Sequence, residues 1–521
     1  MSRKLFFFKK SDIAIAQNRF LIYNNKDNDF NFKSVCTEVC RWERLVTLNL
    51  TEEVFKKIKD GKIAVLGIGV SNLPLINWLI SKGASVCARD KKSYEELLPM
   101  SEELQSKGVR LILGENYLSE LCEDVIFRSP GIRPDVPEIA AAVKSGSLLT
   151  SEMELFFDLT PATILGITGS DGKTTTTTLT YKLLLGEAEK KGYGRVWVGG
   201  NIGTPLLDKA EEMTKDDFAV VELSSFQLQT MKRSPHRAII TNITPNHLNW
   251  HTDMEEYINA KMNICQNTGI SHLTLNAENE ITAKIAENTT LPVTLFSSKT
   301  SDPLDLAGGH GNRSAIFERD GYIIMKKNGE ERKIVKTSSI LLPGRHNVEN
   351  YMAAISITDG LVSLETIKEI AESFGGVAHR LELVRVKDGV KYYNSSIDSS
   401  PTRTAAALSA LTKKPIVICG GYDKNIPFEP LALALCDMAK AVVLTGATAD
   451  KIKKSLLKCE KYSPKKLPIA EKPDFREAVI CASGMATDGD IVLLSPACAS
   501  FDAFKNFEHR GDVFREIVNT L

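Results

Sequence analysis

Between Gly166 and Leu179 the chain reads GITGSDGKTTTTTL, in which Gly169, Gly172, Lys173 and Thr174 have the types and order of a phosphate-binding loop. The common form of that loop places four residues between its first glycine and the Gly-Lys-Ser/Thr end. Here Ile167 occupies the first position and Gly169 follows two residues later, so the loop is shortened. Glycines let backbone amides approach an anion, and the N-terminus of a following helix favours negative charge. Lys173 would then reach the outer phosphates of a nucleotide, while Thr174, with Thr175 beside it, would face magnesium. The remaining threonines are expected to fill helix. Two further segments offer metal-type ligands, Glu222 after the apolar run of VVELSSFQ and His247 within TNITPNHLNWH. Ligands in open parallel sheets collect beyond the carboxyl ends of the strands. A hard oxygen and an imidazole placed there suit a magnesium-nucleotide site.

Such a loop requires a strand before it and a helix after it. ATILGIT supplies the strand, and the helix is expected from about Lys173. The surrounding sequence repeats the pattern of apolar strands ending in glycine, separated by helical stretches, which predicts parallel sheets covered by helices. KIAVLGIGV, ASVCARD, VRLILGE and EDVIFRSPG read as four strands of a first unit over 61–150. A second unit over 151–376 carries the loop, strands FAVVEL and RAIITNIT, and a closing helix in NVENYMAAISITDGL. A third, over 377–521, has strands KYYN, PIVICGG, AVVLTG and DIVLLSP. Residues 1–60 fit none of this and are expected to be an appended segment; a start at about Val46 is one reading of them.

The bulk composition agrees. At about 150 residues per domain, 521 residues suggest three domains. Lys plus Arg and Asp plus Glu each total 65, so no global basic field draws in nucleic acid or an anionic membrane. The start MSRKLFFFKK is too short in apolar residues for a span or a secretory signal, and no membrane insertion is expected. Ten cysteines lie scattered without zinc-type pairing, which suits free thiols in a reducing cytoplasm.

The set TGSDGKTT, GGNIG, VELSSFQ, YINAKMNI, LPGRHNVENYMAA, AHRLE and LLSPACASFDAFKNFEHRG resembles the Mur ligases over roughly residues 60–521. The resemblance implies three α/β domains: a Rossmann-like N-terminal domain that binds UDP, a central ATPase-like parallel-sheet domain with the phosphate loop, and a Rossmann-like C-terminal domain. It implies a cytoplasmic enzyme, expected to be a monomer, that uses ATP and Mg2+ to join D-glutamate to UDP-N-acetylmuramoyl-L-alanine through an acyl phosphate. Lys173, Glu222, His247 and Lys261 would form the catalytic set, with Thr174, Glu222, His247 and Lys261 as metal-facing groups. Lys261 corresponds to a lysine that is carbamylated in the family. Read alone, it is a solvated helix lysine.

The same resemblance assigns Asn350 to adenine, Arg380 to the phosphates and Asn201 to the region of the substrate carboxylate. Asn347 and Asn350 share one helix face by spacing, which capping alone would also explain. Lys424, Ser500, Phe501 and Phe507 match positions that hold D-glutamate. GIGVSN with Asp90 resembles a dinucleotide fingerprint in which Asn72 replaces the third glycine. Val70, Ser71, Asp90, Ser129 and Gly131 are then candidates for uridine and diphosphate contacts. One stretch departs from the pattern. YYNSSIDSSPTRT has Ser395 where a nucleotide-orienting aspartate is expected and Ile397 where many relatives have lysine, while Asp398 follows three positions on. Weaker nucleotide orientation is expected, to be repaired by Ser395→Asp. Domain closure is expected, with hinges near Gly375 and Gly376. The competing readings are another amide ligase of the same superfamily, a nucleotide-driven switch or motor, and an impaired paralogue that only binds precursor.

Overall fold

The computed structural model describes residues 55–267, 269–305, 313–424 and 426–521, all within the compact unit Leu50–Leu521. The reading of residues 1–54 as part of an appended segment lies outside them. Three sheets carry the architecture. The first has five parallel strands in the spatial order Arg110–Leu113, Ser85–Asp90, Lys62–Leu66, Val125–Arg128, Leu148–Thr150. Ile63, Ala64, Val65 and Leu66 are all fully buried, as expected where helices cover both faces of a parallel sheet. Ile58, ahead of the first strand, is buried in the same core.

The second sheet has nine strands in the order Glu330–Lys336, Tyr322–Lys327, Arg313–Arg319, Val293–Ser297, His272–Asn276, Arg237–Ile240, Thr163–Thr168, Phe218–Glu222, Val196–Gly200. The expectation of a parallel sheet holds from Val196–Gly200 through Arg313–Arg319. It fails at Tyr322–Lys327, which runs antiparallel to both neighbours. Asp320 and Gly321 adopt positive φ in the tight turn that reverses the chain there. Chain order reverses on either side of Thr163–Thr168, whose sequence-later neighbours are Phe218–Glu222 and Arg237–Ile240. The crevice of an open α/β sheet lies at such a switch point. The phosphate loop leaves the central strand there and enters the helix Lys173–Lys191.

The third sheet orders Glu382–Lys387, Val390–Asn394, Ile491–Leu494, Ile416–Cys419, Ala441–Leu444, Ile469–Glu471, with the first antiparallel to the rest. Apolar packing divides the three sheets unequally. One continuous cluster runs from Ile63, Leu79 and Phe127 of the first domain through Leu155 and Leu207 to Ile240 and Leu295 of the second. The third domain has separate cores around Leu431 and Leu493 and around Ile418 and Phe514. The first two domains therefore share a core that the third does not enter.

Candidate active site

The loop after Thr168 is held open by backbone geometry that only glycine accommodates at two positions. Gly169 has φ +149°, and a side chain there would place its Cβ 1.8 Å from Thr241 Oγ1. Gly172, at φ +77°, stands as the residue before the helix, and an added Cβ would meet Asn350 Oδ1 at 2.5 Å. Between them the loop is tied to the segment after Arg237–Ile240. Ser170 N donates to Asn242 O, Asp171 N to Asn242 Oδ1, and Thr241 Oγ1 to Asp171 O. The Ser170 hydroxyl accepts from Thr244 N and pairs with Tyr257 Oη at 2.8 Å. A threonine run is a poor helix former, but Thr178 and Thr180 donate to the carbonyls of Thr174 and Thr176 one turn back. Thr174 and Thr175 are half-buried at the first turn.

Lys173 Nζ donates to Ser170 O at 3.0 Å, so its ammonium curls over the loop. Burial holds it below the ordinary lysine range, although Glu222 and Asp171 favour its charge. Lys261 is not the solvated lysine that the sequence by itself suggests. It is 1% exposed in the helix Met254–Gln266, with Nζ donating to Gly169 O at 2.8 Å and lying 4.8 Å from the centre of the Tyr257 ring. Burial, reinforced by Lys173, pushes it down to about 7, so a large share of it is a neutral amine near neutral pH.

Glu222 ends its strand 1% exposed. Its Oε1 accepts from Asn201 Nδ2 at 2.8 Å, while Oε2 is buried without a hydrogen-bond partner. Asn201 is fixed in turn by its own amide, which donates to Glu222 O. His247 is exposed in a left-handed turn at φ 56°, its ring 5.0 Å from Phe226. Burial of its ring and the nearby Lys173 and Lys261 lower its pKa, which keeps a lone pair available for a metal. Among the described residues no three His, Cys, Asp or Glu side chains form a metal cluster. The residue types nevertheless suit magnesium, since Glu222 offers a buried oxygen without a hydrogen-bond partner, His247 a lone pair and Thr174 a hydroxyl in the first turn after the loop.

Asn347 and Asn350 do share one face of the helix Arg345–Ile357, both buried. Asn350 Nδ2 donates to Asn347 Oδ1, and its Oδ1 accepts from Thr176 Oγ1 at 3.2 Å, which ties this helix to the loop. Arg380 is exposed and close enough to Lys173 and Asp398 to influence the charge of both. Asp398 is buried, and its Oδ2 accepts from Ser495 Oγ at 2.8 Å. Its amide donates to Ser395 O, and the Ser395 hydroxyl hydrogen-bonds its carboxylate. Burial raises Asp398 above the usual aspartate range, against the pull of Arg403 and Arg380. Ser395 is itself fully buried, its Oγ accepting from Leu381 N. The Asp398 carboxylate thus stands against the hydroxyl at which Ser395→Asp would add a second one.

Of the residues expected to hold D-glutamate, Lys424, Ser500 and Phe501 lie on two adjoining loops of the third domain, and Phe507 opens the helix Phe507–Thr520. Tyr422 N donates to Ala499 O, which sets the loop with exposed Lys424 beside Ser500 and Phe501. Ser500 is buried, and Phe501 is 66% exposed against the edge of Tyr422. Phe507 is half-buried near His379, so it faces the AHRLE segment instead of Phe501. In the first domain, Asp90 Oδ2 accepts from Ile68 N at 2.6 Å and its Oδ1 from Lys92 N, so one carboxylate braces the glycine turn. Asn72, in place of the third glycine, donates to Leu66 O and Gly67 O and closes that turn from within. Val70 is exposed at its tip, and Ser71 precedes the helix Asn72–Ser81 without capping it by side chain. Ser129 packs beside Gly67, and Gly131 is exposed.

Sequence reasoning overlooked Thr241, Asn242, Tyr257, His251 and Glu256. The polar cluster TNITPNHLNWH was a usable signal for Thr241, Asn242 and His251, and Tyr257 opens the YINAKMNI stretch; Glu256 is brought in by packing.

The sheets, the switch-point loop and the buried Glu222–Lys261 neighbourhood define a multidomain α/β nucleotide-using enzyme. The chain belongs to the Mur ligase family: residues 61–151 match the Mur ligase MurD-like N-terminal domain, 167–358 the Mur ligase middle domain, and 379–498 the Mur ligase glutamate ligase domain. It is 48% identical over 466 residues to a protein of Clostridium novyi (strain NT) named UDP-N-acetylmuramoylalanine--D-glutamate ligase, covering 89% of this chain and 98% of that one. A protein of the same name from Clostridium beijerinckii is 49% identical over 471 residues, covering 90% and 98%. Among solved structures, UDP-N-acetylmuramoyl-L-alanyl-D-glutamate--2,6-diaminopimelate ligase shares the fold at TM-score 0.51 and 17% identity, covering 77% of this chain and 93% of that one.

Proposed function

We propose that this chain joins D-glutamate to UDP-N-acetylmuramoyl-L-alanine at the expense of ATP, in the synthesis of the peptidoglycan precursor. The chemical task is to make a carboxylate electrophilic. An amine attacking a free carboxylate must expel oxide, whereas an acyl phosphate expels phosphate. Transfer of the γ-phosphoryl group to the alanine carboxylate, attack by the D-glutamate amine and collapse of the tetrahedral intermediate give amide, ADP and phosphate. The observation that carries this reading is the buried, unpartnered Glu222 oxygen beside a phosphate loop in a chain nearly half identical to named D-glutamate ligases.

Lys173 neutralises the outer phosphates, and the loop amides hold them in line. Thr174, Glu222 and His247 would hold Mg2+, which supplies charge neutralisation at the phosphates when bound. Thr175, Asn350 and Arg380 contact the nucleotide, and Gly169 and Gly172 keep the loop open to it. Asp398 takes the nucleotide-orienting place. Asn201 steers the acceptor carboxylate while holding Glu222. Lys261, largely neutral in its buried pocket, is chemically ready to add CO2 and become an anionic oxygen ligand. Val70, Ser71, Asp90, Ser129 and Gly131 form the uridine diphosphate end. Lys424, Ser500, Phe501 and Phe507 receive D-glutamate, whose two carboxylates call for a cation and backbone amides. The enzyme acts as a cytoplasmic monomer, and among the described residues no helix is long and apolar enough to cross a membrane.

Because the third domain has its own cores, it is the body that closes, about Gly375 and Gly376. The test is phosphate release from purified protein offered ATP, Mg2+, UDP-N-acetylmuramoyl-L-alanine and single amino acids. Release that requires both the muramoyl substrate and D-glutamate is expected. Release without acceptor, or with a different amino acid only, overturns the assignment.

A further inference from the structure

The segment Ser129–Asp135 touches both of the domains that share a core. Its start packs on the glycine turn of the first domain, where Ser129 N donates to Leu66 O and Ser129 Cβ lies 2.9 Å from where a Cβ on Gly67 would be. Its end reaches the second domain through Arg133. That guanidinium donates to Glu256 Oε1 at 2.8 Å and to Trp250 O, and also pairs with Asp135. Glu256 is a hub. It accepts from Thr252 N at 2.7 Å and from Gln229 Nε2 at 2.9 Å, and its Oε2 lies 3.3 Å from His251 Nδ1. Burial alone would raise its pKa, but Arg133 and the Thr252 amide hold it below the usual range, so it stays a carboxylate. The other nitrogen of buried His251 meets Ser225 Oγ at 3.0 Å, at the start of the short helix Ser225–Leu228 that follows Glu222. Glu256 and Lys261 sit in one helix, and Trp250 closes the turn that presents His247.

We infer that Arg133 is a positioning residue which couples occupancy of the first domain by the uridine-linked substrate to the phosphate-facing residues of the second. This rests on the function proposed above. Arg128, one strand end away, is a different device. It is buried and donates to Phe226 O at 3.0 Å and Thr230 Oγ1 at 3.1 Å, a static clamp. The Arg133 and Glu256 side chains keep 22% and 25% exposure, and Arg133 follows exposed Gly131 by two residues in the same segment, so a ligand held by that segment can shift the pair. An arginine fork fixed on a carboxylate transmits orientation as well as charge. The coupling must be reciprocal between the two ligands.

The experiment is calorimetric titration of the full chain with a non-hydrolysable ATP analogue and Mg2+, with and without saturating UDP-N-acetylmuramoyl-L-alanine. In the wild type the muramoyl substrate should tighten the analogue by about tenfold, within the usual range of coupling between sites. In Arg133→Gln that ratio should fall to about one, with the affinity for the analogue alone unchanged. Arg133→Lys, which keeps charge but not the fork, should recover part of it. Glu256→Gln breaks the same pair from the other domain and should lose the ratio equally, so it decides the matter if Arg133→Gln fails to fold. An unchanged ratio in the folded variants, or no coupling in the wild type, overturns the inference. Wild-type protein that couples the two ligands but makes no amide from D-glutamate defeats only the functional reading. Amide formation without coupling defeats only this one.

Discussion

Asp398 and Ser395 give the sharpest test of how this site is built. The Asp398 carboxylate accepts from Ser495 Oγ and from the Ser395 hydroxyl, and Arg380 and Arg403 favour its charge. Asp398→Asn keeps the shape but removes the charge. Hydrogen bonds to charged groups are each worth about 1.5–3 kcal/mol, so a loss of roughly 10- to 150-fold in kcat/KM for ATP is expected. Ser395→Asp sets a second carboxylate against the first in a pocket where both positions are buried. Two carboxylates in contact cannot both ionise, and an uncompensated buried charge costs about 3–5 kcal/mol. For a domain of this size that is a fall of roughly 10 °C in the melting midpoint, with no gain in the KM for ATP. The exchange Ser395→Asp with Asp398→Ser should recover most of both losses, because groups in contact are not additive. Initial-rate kinetics over ATP concentration and thermal melts of the four proteins are the assays. A Ser395→Asp protein with normal melting and a lower KM, or an Asp398→Asn protein with unchanged kcat/KM, would refute the reasoning.

Replacing Lys173 by Ala removes a side-chain ammonium curled over the loop at Ser170 O, where the γ-phosphate is proposed to sit, and should lower kcat on the order of a hundredfold or more in the phosphate-release assay. Lys261→Ala should abolish turnover; in 13C-bicarbonate, wild-type protein should show a carbamate carbonyl resonance that the variant lacks, and its absence from both would remove carbamylation from the account. Glu152 is buried at the seam of the first two domains with an unpartnered oxygen, and burial, with Asp208 adding to it, raises its pKa to about 8. The native state then holds a proton that the unfolded chain has released between about pH 4.5 and 8, so stability falls by about 1.4 kcal/mol per pH unit across that window. Glu152→Gln should flatten the slope in denaturant titrations at pH 5, 6 and 7 by that amount, and an unchanged slope would exclude Glu152 as its source. Small-angle scattering should show compaction when ATP analogue and muramoyl substrate bind together, and no change in radius would count against closure of the third domain.

Much of this protein is set by local sequence. A glycine with positive φ, a lysine at a helix start and apolar runs ending in polar residues are short-range patterns, and they pointed to the phosphate loop, to Glu222 and His247 as candidates, and to four of the five strands of the first sheet, three of the seven parallel strands of the second and four of the five parallel strands of the third among the described residues. The edge strands Leu148–Thr150, Ile469–Glu471, Val196–Gly200 and Glu330–Lys336 and the inner strands His272–Asn276, Val293–Ser297, Arg313–Arg319 and Tyr322–Lys327 were not legible, since a strand's identity depends on packing against neighbours distant in the chain. The charge states were also beyond sequence. Lys261 is a helix lysine until the sheet and Tyr257 close over it, and desolvation then makes it a weak acid near neutrality. The displaced aspartate shows the same division. Composition shows only that Ser395 lacks a carboxylate, whereas the tight turn that folds Asp398 back onto its hydroxyl is a matter of three-dimensional packing. The residue types and their order were determined by the sequence alone; which of them meet, and in what state of protonation, depended on burial and long-range contacts that only the tertiary structure creates.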